Sequence, residues 1–192
     1  MTTSESLKDS TGVFDNALAV KGAFAIRWHP GQKLTPAASA VAETDNLQLL
    51  VAEASMDEAP SSEALKDESP QLAMELHRIE LKVNVLLKIA GELLAREQRL
   101  PEPRLLRLSA IGLECAGDEG MKSGERGLLE LFVNRSLPYS LKFQSLIDSE
   151  RAMPSGRMVH FRFEALSETV SDHLAKLIFR KHRRLIALAK QA

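Results

Sequence analysis

The strongest hydrophobic pattern of the chain lies in residues 71–100, where apolar side chains recur at alternating separations of four and three residues. This a/d repeat continues for about three heptads and predicts an amphipathic helix. The repeat positions are Leu72, Leu76, Ile79, Val83, Leu86, Ala90 and Leu93. Leu87 and Ile89 widen the apolar surface beyond what a two-helix seam requires. The helix is therefore expected either to assemble three or four copies of the chain or to pack on the protein's own domain.

Beyond the two prolines that end this helix, the apolar period shortens to two residues, which is typical of β-strands. In the run 157–166, for example, Val159, Phe161 and Phe163 alternate with polar residues. Similar runs, separated by glycine or proline, cover residues 104–115, 127–133 and 138–147. Several short strands at this spacing indicate a small antiparallel barrel or sandwich.

A further strand is predicted near the start of the chain. Phe24, Ile26 and Trp28 alternate there with small or polar residues, so the three large side chains share one face. This strand is expected to add an edge to the sheet. It is followed by a short helix over residues 44–55, for which Thr44 is the expected N-cap.

The last predicted helix begins after Ser167, which is a suitable N-cap. Acidic residues lie in its first turns and basic residues lie towards its end, which matches the helix macrodipole. Its apolar stripe consists of Val170, Leu174, Leu177, Ile178, Leu185 and Leu188. The stripe predicts that one face packs on the barrel or on another subunit.

These patterns divide the chain into five parts. They are a disordered N-terminus (1–17), a strand and short helix that join the barrel (18–54), an acidic linker (55–70), the heptad helix (71–100), and the barrel with its basic C-terminal helix (101–192). The predicted fold class is α+β, namely a small antiparallel β-barrel with a long inserted heptad helix and a C-terminal helix.

Charge is distributed unevenly, although 25 Lys and Arg nearly balance 26 Asp and Glu. The net charge is −6 over residues 1–70, +1 over 71–100 and +4 over 101–192. The neutral total and the lack of a recognisable reading motif argue against nucleic-acid binding. The basic last helix is therefore expected to face solvent or a protein partner in preference to a polyanion or a lipid.

The location of the protein is predicted from what the sequence lacks. No apolar run approaches the roughly 20 residues of a transmembrane helix, and no signal-peptide pattern follows the polar start. The single cysteine, Cys115, cannot form an intramolecular disulfide. We expect a cytoplasmic protein in which Cys115 is a buried thiol on a strand.

The sequence gives little support to a catalytic or metal-binding interpretation. The five histidines show no HExxH spacing, and one cysteine cannot build a Cys-rich zinc site. The chain also has no G-x-S-x-G, Walker A or G-x-G-x-x-G motif. Neither an enzymatic activity nor a metal is predicted.

The order of features in residues 104–132 resembles the PilZ domain of bacterial cyclic di-GMP signalling. Ser109, Gly112 and Leu113 match its S-x-x-G motif and the apolar position that follows, and the run that begins at Gly124 matches the next strand. With the heptad helix and the last helix added, the chain is similar to the atypical tetrameric PilZ group. In that group the inserted heptad helix assembles four subunits.

The resemblance implies a cyclic di-GMP site with an R-x-x-x-R segment ahead of the first barrel strand and an Asp or Asn two positions before the serine. Here the separations between Arg96, Arg99, Arg104 and Arg107 are 3, 5 and 3, and Arg107 occupies the Asp or Asn position. A guanidinium cannot accept the hydrogen bonds that a carboxylate accepts from guanine. The candidate nucleotide-binding residues of this degenerate motif are Arg104, Arg107, Ser109 and Gly112.

These considerations predict a non-enzymatic signalling or adaptor protein that self-associates, as a tetramer, through the heptad helix. It is not expected to bind cyclic di-GMP in the usual mode, and no cofactor is expected. The alternative is a cyclic di-GMP receptor with a noncanonical site. The resemblance implies partners among other signalling, pilus or motility proteins, and the residues do not choose among them.

Overall fold

The computed structural model describes residues 18–56, 69–97, 100–134, 139–154 and 156–189. The elements in chain order are β1 (Ala19–Pro30), α1 (Pro36–Met56), α2 (Pro70–Glu97), β2 (Arg104–Ser109), β3 (Gly112–Ala116), β4 (Arg126–Phe132), β5 (Leu141–Met153), β6 (Gly156–Phe163) and α3 (Glu168–Ala189). The predicted disordered N-terminus and most of the predicted acidic linker lie outside the described residues.

The six strands form a closed antiparallel barrel in the order β1-β2-β3-β6-β5-β4. The barrel closes because β1 pairs with two strands, with β2 through residues 19–24 and with β4 through residues 25–30. The prediction that β1 forms an edge was therefore wrong. A strand of 12 residues is long enough to pair with a different neighbour over each half, and period-two patterning does not reveal this.

The core fills the barrel interior with the alternating apolar side chains that the sequence predicted. Phe24 and Ile26 are buried, and Trp28 packs on the same core with its ring 5.0 Å from that of Phe161 in a T-shaped arrangement. Phe143 stacks on Phe163 at 4.3 Å between ring centroids. Aromatic pairs of this kind add about 0.5–1.5 kcal/mol to what their burial contributes.

Helix α1 begins earlier than predicted. The Thr35 hydroxyl accepts a hydrogen bond from the Ala38 N–H at 3.2 Å and so caps the helix, and Pro36 occupies the first helical position. Thr44, the predicted cap, lies inside the helix and donates its hydroxyl proton to the Ala40 carbonyl at 3.1 Å. The prediction failed because the first turns of α1 consist mostly of alanine and so show no amphipathic period.

Asn46 fastens α1 to the barrel. Its side-chain amide donates to the Lys142 carbonyl at 2.9 Å and accepts from the Lys142 N–H at 2.8 Å, and Asn46 itself is buried. The amide thereby satisfies both backbone groups of a residue on β5, as a neighbouring strand would. This clamp fixes α1 across the barrel wall.

A second buried polar residue, Glu53, connects α1 to α3. The Glu53 carboxylate accepts hydrogen bonds from Lys181 Nζ at 3.1 Å and from Asn134 Nδ2 at 2.9 Å. Because a buried carboxylate is costly without such partners, this cluster holds α1, α3 and the end of β4 in one arrangement.

Helix α3 is capped as predicted, since Ser167 Oγ accepts a hydrogen bond from the Val170 N–H at 3.3 Å. Only the first four of the six residues of its predicted apolar stripe pack on the protein. Val170, Leu174, Leu177 and Ile178 are buried, whereas the last two members, Leu185 and Leu188, are exposed. The helix continues beyond the barrel surface on which its first half packs.

Helix α2 is 28 residues long and begins at Pro70, in the first helical position. Within the described part of the chain, no close Cα approach, within 8 Å, is found between α2 and the barrel strands, α1 or α3. The sequence left open whether the apolar face of α2 packs on the protein's own domain or meets other copies. Among the described residues, the barrel does not cover that face, so packing on the protein's own domain is not observed there.

Candidate functional site

The motif serine lies in the tight turn that joins β2 to β3. Ser109 Oγ donates to the Gly112 carbonyl at 3.1 Å and accepts from the Ile111 N–H at 3.3 Å. Ser109 is fully buried, and it pairs with Gly112 in the strand register. The Ser109 hydroxyl therefore forms its hydrogen bonds, one as donor and one as acceptor, within the turn itself.

The motif glycine is where two strands approach each other closely. A Cβ at Gly112 would lie 2.1 Å from the Phe161 carbonyl oxygen on β6. That separation is far below van der Waals contact, so the backbones of β3 and β6 can pair here only if residue 112 has no side chain. Ser109 and Gly112 thus serve hairpin formation and strand packing.

The two candidate arginines do not converge. Arg104 Nη1 lies 2.7 Å from Asp118 Oδ2 and donates to the Ala116 carbonyl at 3.3 Å, so its guanidinium is engaged at the end of β3. Arg107 lies three residues further along β2. Because side chains alternate along a strand, residues three apart point to opposite faces, and Arg104 and Arg107 cannot form one site within a single copy.

Arg107 belongs to a row of charged residues on the barrel wall. Its register partners are Lys21 on β1 and Glu114 on β3, and Glu114 is paired in turn with His160 on β6. Lys21 and Arg107 carry like charges directly opposite each other, and Glu114 on the other side of Arg107 offsets their repulsion. Arg107 is thus the candidate residue that lies on the outer wall of the barrel, beside both a cation and an anion.

Helix α2 presents the largest exposed apolar surface among the described elements. Of the seven predicted repeat residues, five large ones are between 46% and 65% exposed, namely Leu72, Ile79, Val83, Leu86 and Leu93. Leu76 is half-buried and Ala90 is exposed. Five further large apolar residues of α2 are exposed, namely Met74, Leu81, Val85, Leu87 and Ile89. Exposure on this scale marks an interaction site.

Two polar features were missed by sequence reasoning. His160 Nδ1 lies 2.5 Å from Asp148 Oδ1 on the neighbouring strand. A groove of about 550 Å³ runs between α1 and β4, and in it Arg27 lies over the Phe132 ring and pairs with Glu130 at 3.1 Å. Neither the His160–Asp148 pair nor the Arg27–Glu130 pair produces a local pattern in the sequence, because the paired residues are 12 and 103 positions apart.

The histidines do not form a metal centre in the described residues. His29, His77 and His160 lie on β1, α2 and β6, and the remaining two, His173 and His182, lie on α3. No three His, Cys, Asp or Glu side chains of the described ranges converge closely enough to hold a metal ion. Across the same ranges, no helix combines the length and the apolarity that a membrane span requires.

Cys115 is buried in the barrel core, as predicted. Burial raises the pKa of its thiol from 9.0 to about 12, and the nearby Arg104 guanidinium offsets this only in part. We expect a disulfide reagent such as DTNB at pH 8 to react about a thousandfold more slowly with the folded protein than with the protein in guanidinium chloride, because the thiolate is the reactive form. Rapid reaction of the folded protein would contradict this placement.

The same shift predicts a pH dependence of stability. Above pH 9.0 the unfolded thiol loses its proton while the folded thiol retains it up to about pH 12, so the free energy of unfolding falls as pH rises through this window. Urea melts at pH 8 and pH 10.5 measure the effect. The Cys115→Val variant should lose less stability over this interval than the parent chain, and an equal loss would show that other groups dominate.

The sequence profile of the atypical PilZ domain family, described as a cyclic di-GMP receptor, matches residues 50–191. The match covers most of the 192 residues and extends from the end of α1 through α3. The barrel with its S-x-x-G hairpin defines a PilZ domain. More particularly, the chain belongs to the atypical PilZ domain family.

A solved structure agrees with this fold. The chain is similar to a tetrameric PilZ-domain protein of Xanthomonas campestris that self-assembles through a helical bundle, with a TM-score of 0.67 and 20% identity, covering 90% of this chain and 92% of that chain. It is also similar to YcgR of Escherichia coli in complex with cyclic di-GMP, with a TM-score of 0.38 and 23% identity over 47% of this chain and 41% of that chain. No curated protein sequence gives a match.

Proposed function

We propose that this protein is a non-enzymatic, cytoplasmic regulator in cyclic di-GMP signalling that assembles copies of itself through α2 and acts by contacts with other proteins. The exposed apolar face of α2 is the observation that carries the proposal. Neither the barrel nor the other described helices cover it, so another copy is the simplest partner that removes it from water. The tetrameric Xanthomonas relative supports assembly of four copies.

We further propose that the chain does not bind cyclic di-GMP in the usual mode. Arg107 stands where the resemblance implies a hydrogen-bond acceptor for guanine. Ser109 and Gly112 are used by the hairpin, and Arg104 is engaged by Asp118. These contacts support an adaptor role, and the family resemblance suggests that its partners are other signalling, pilus or motility proteins.

A second candidate is a cyclic di-GMP receptor with a noncanonical site. The description of the family as a cyclic di-GMP receptor favours it, and so does the pair of like charges at Lys21 and Arg107. In this alternative, Arg107 contacts the phosphates, and a neighbouring copy in the assembly supplies the remaining side chains.

Two measurements test the proposal. Light scattering after size exclusion gives the mass of the assembly with and without excess cyclic di-GMP, and a calorimetric titration measures binding of the nucleotide. We expect a tetramer whose mass does not change with the nucleotide, and no heat of binding. A monomer at micromolar concentration would contradict assembly. Binding that is lost in Arg107→Ala but kept in the control Arg126→Ala, an exposed arginine on β4, would instead establish the second candidate.

A further inference from the structure

Helix α2 carries a second set of apolar residues in addition to the heptad repeat. Met74, Leu81 and Val85 are 72%, 53% and 55% exposed, and none of them is a repeat position. An α-helix turns about 100° per residue, so Leu81 and Val85 each lie within about 20° of Met74 around the helix axis. We call these three residues the second stripe.

The second stripe lies on the opposite side of α2 from the repeat. Measured around the helix axis from Met74, the repeat residues Leu76 and Val83 lie at about 200° and 180°. Ile89 lies between the two faces, so they are separate over about the first four turns of the helix. The polar residues of 71–85 fall between the two faces, namely Gln71, Glu75, Arg78 and Lys82 along one border and His77, Glu80 and Asn84 along the other.

Assembly through the repeat leaves the second stripe uncovered. In a helical bundle, residues opposite the repeat positions face outward. The barrel, α1 and α3 do not cover the stripe either, because in the described ranges no Cα atom of these elements lies within 8 Å of α2. The argument rests on the proposed function in this one respect, that other copies take up the repeat face.

The second stripe has cations along one border only. Arg78 and Lys82 lie about 40° and 80° round from Met74, and both are exposed. Neither forms a hydrogen bond or an ion pair with another described residue, and Glu75, further round on the same border, is paired with neither. Residues 71–85 contain no other lysine or arginine. The border that holds Arg78 and Lys82 is therefore suited to carboxylates of a partner.

We propose that the second stripe docks an amphipathic helix of a partner protein, which has aliphatic side chains on its contact face and carboxylates along one edge. The aliphatic side chains cover Met74, Leu81 and Val85, as in other complexes in which a partner helix lies along an apolar surface. The carboxylates lie against Arg78 and Lys82 and so fix the side on which the partner helix lies. The stripe is about 17 Å long, which matches roughly three turns of a helix.

The shape of the second stripe favours a helix over a membrane surface. A helix that lies in a bilayer interface has a wide apolar face opposite a polar face rich in Lys and Arg. On α2 the second stripe is only about 40° wide, and the face opposite it is the apolar repeat. A narrow stripe with cations along one border fits the side of a single helix.

Fluorescence anisotropy with two designed peptides tests the proposal on the full chain. Each peptide has about 18 residues, since shorter helices are marginal in water, and carries leucines along one face at helical spacing. One peptide has glutamates along one edge of the leucines, and the other has lysines at the same positions. We expect the glutamate peptide to bind at micromolar concentration and the lysine peptide to bind at least about tenfold more weakly.

Variants of α2 assign the binding to the second stripe. Leu81→Gln/Val85→Gln should weaken binding of the glutamate peptide by at least about tenfold, because glutamine preserves the helix but removes the apolar contact. Arg78→Gln/Lys82→Gln should weaken it about fivefold at low salt. This second difference should shrink in about 0.5 M NaCl, because salt screens exposed charges.

Matched controls change similar residues elsewhere on the surface. Val41→Gln/Val51→Gln replaces two exposed apolar residues of α1, and Lys33→Gln/Lys122→Gln removes two exposed cations. Both controls should bind the glutamate peptide like the parent chain. All variants should keep the parent's thermal melt and its mass in light scattering.

Four results would overturn the proposal. The first is a lack of binding by the glutamate peptide, or equal binding of the two peptides. The second is binding that survives Leu81→Gln/Val85→Gln. The third is a smaller mass of that variant without peptide, which would make the stripe a contact between copies. The fourth is flotation of the parent chain with phosphatidylglycerol vesicles that is lost in the same variant, which would assign the stripe to a membrane.

The same measurements separate the docking site from the proposed assembly. If the parent chain were a monomer, the assembly would be wrong, but peptide binding that depends on Leu81 and Val85 would still support the docking site. If the chain is assembled and the glutamate peptide does not bind, the docking site is wrong and the assembly stands.

Discussion

Replacing Val83 and Leu86 with aspartate is expected to convert the assembled protein into a monomer of 21.2 kDa. Both side chains are exposed repeat residues of α2, 46% and 65% exposed respectively. In an assembly, each contributes about 1.5–3 kcal/mol of apolar burial per copy, and aspartate replaces this gain with the cost of burying a carboxylate. Light scattering after size exclusion at micromolar concentration measures the change.

The matched control for this variant is Val41→Asp/Val51→Asp on α1. Val41 and Val51 are 60% and 45% exposed. Their replacement by aspartate introduces the same charge as in the α2 variant, but on a helix that hydrogen bonds attach to the barrel. We expect the control to keep the assembled mass. The thermal melt of the barrel should change little in the α2 variant, because Val83 and Leu86 are exposed and, among the described residues, α2 makes no close Cα approach to the barrel. An unchanged mass in the α2 variant would show that α2 is not the element that joins the copies.

Gly112→Ala is expected to destabilise the barrel by about 3 kcal/mol or to prevent folding. The added Cβ would lie 2.1 Å from the Phe161 carbonyl oxygen. Both β3 and β6 are held by strand pairing at this point, so moving either backbone to relieve the clash would cost hydrogen bonds. The pairing of β3 with β6 would have to separate or shift. Chemical denaturation followed by circular dichroism measures the loss.

Gly120→Ala provides the comparison, since a Cβ there meets nothing within 4 Å and the residue has no left-handed backbone conformation. We expect this control to unfold at nearly the same denaturant concentration as the parent chain. If Gly112→Ala were as stable as the control, the motif glycine would not serve strand packing. A ligand role for the S-x-x-G turn would then have to be reconsidered.

The barrel strands were predictable because the barrel wall has one buried face. Leu106 and Leu108 point inward on β2, and Val159 and Phe161 do so on β6, so the apolar period of two appears directly in the sequence. Closure was not predictable. It depends on the pairing of Ala25 with Phe132, which involves residues more than a hundred positions apart and leaves no local pattern.

The candidate site was predicted in part. The motif identified Ser109 and Gly112 as special residues, and the structure shows that the hairpin uses them. Strand alternation, applied to β2, would already have separated Arg104 from Arg107. The Asn46 clamp and the Glu53 cluster had no sequence signal, because their partners lie 96 and 128 positions away.

The separation of α2 from the barrel has a consequence for how strongly the protein engages its partners. If α2 joins the copies, each barrel keeps its own surface free, and one assembly presents several identical binding surfaces on chains that are tethered together. A partner with more than one docking site then binds its second barrel as an intramolecular event, which raises avidity by about 10²–10⁴ without any new contact. Weak individual contacts are sufficient for such an adaptor, and dissociation of the α2 assembly is enough to switch it off.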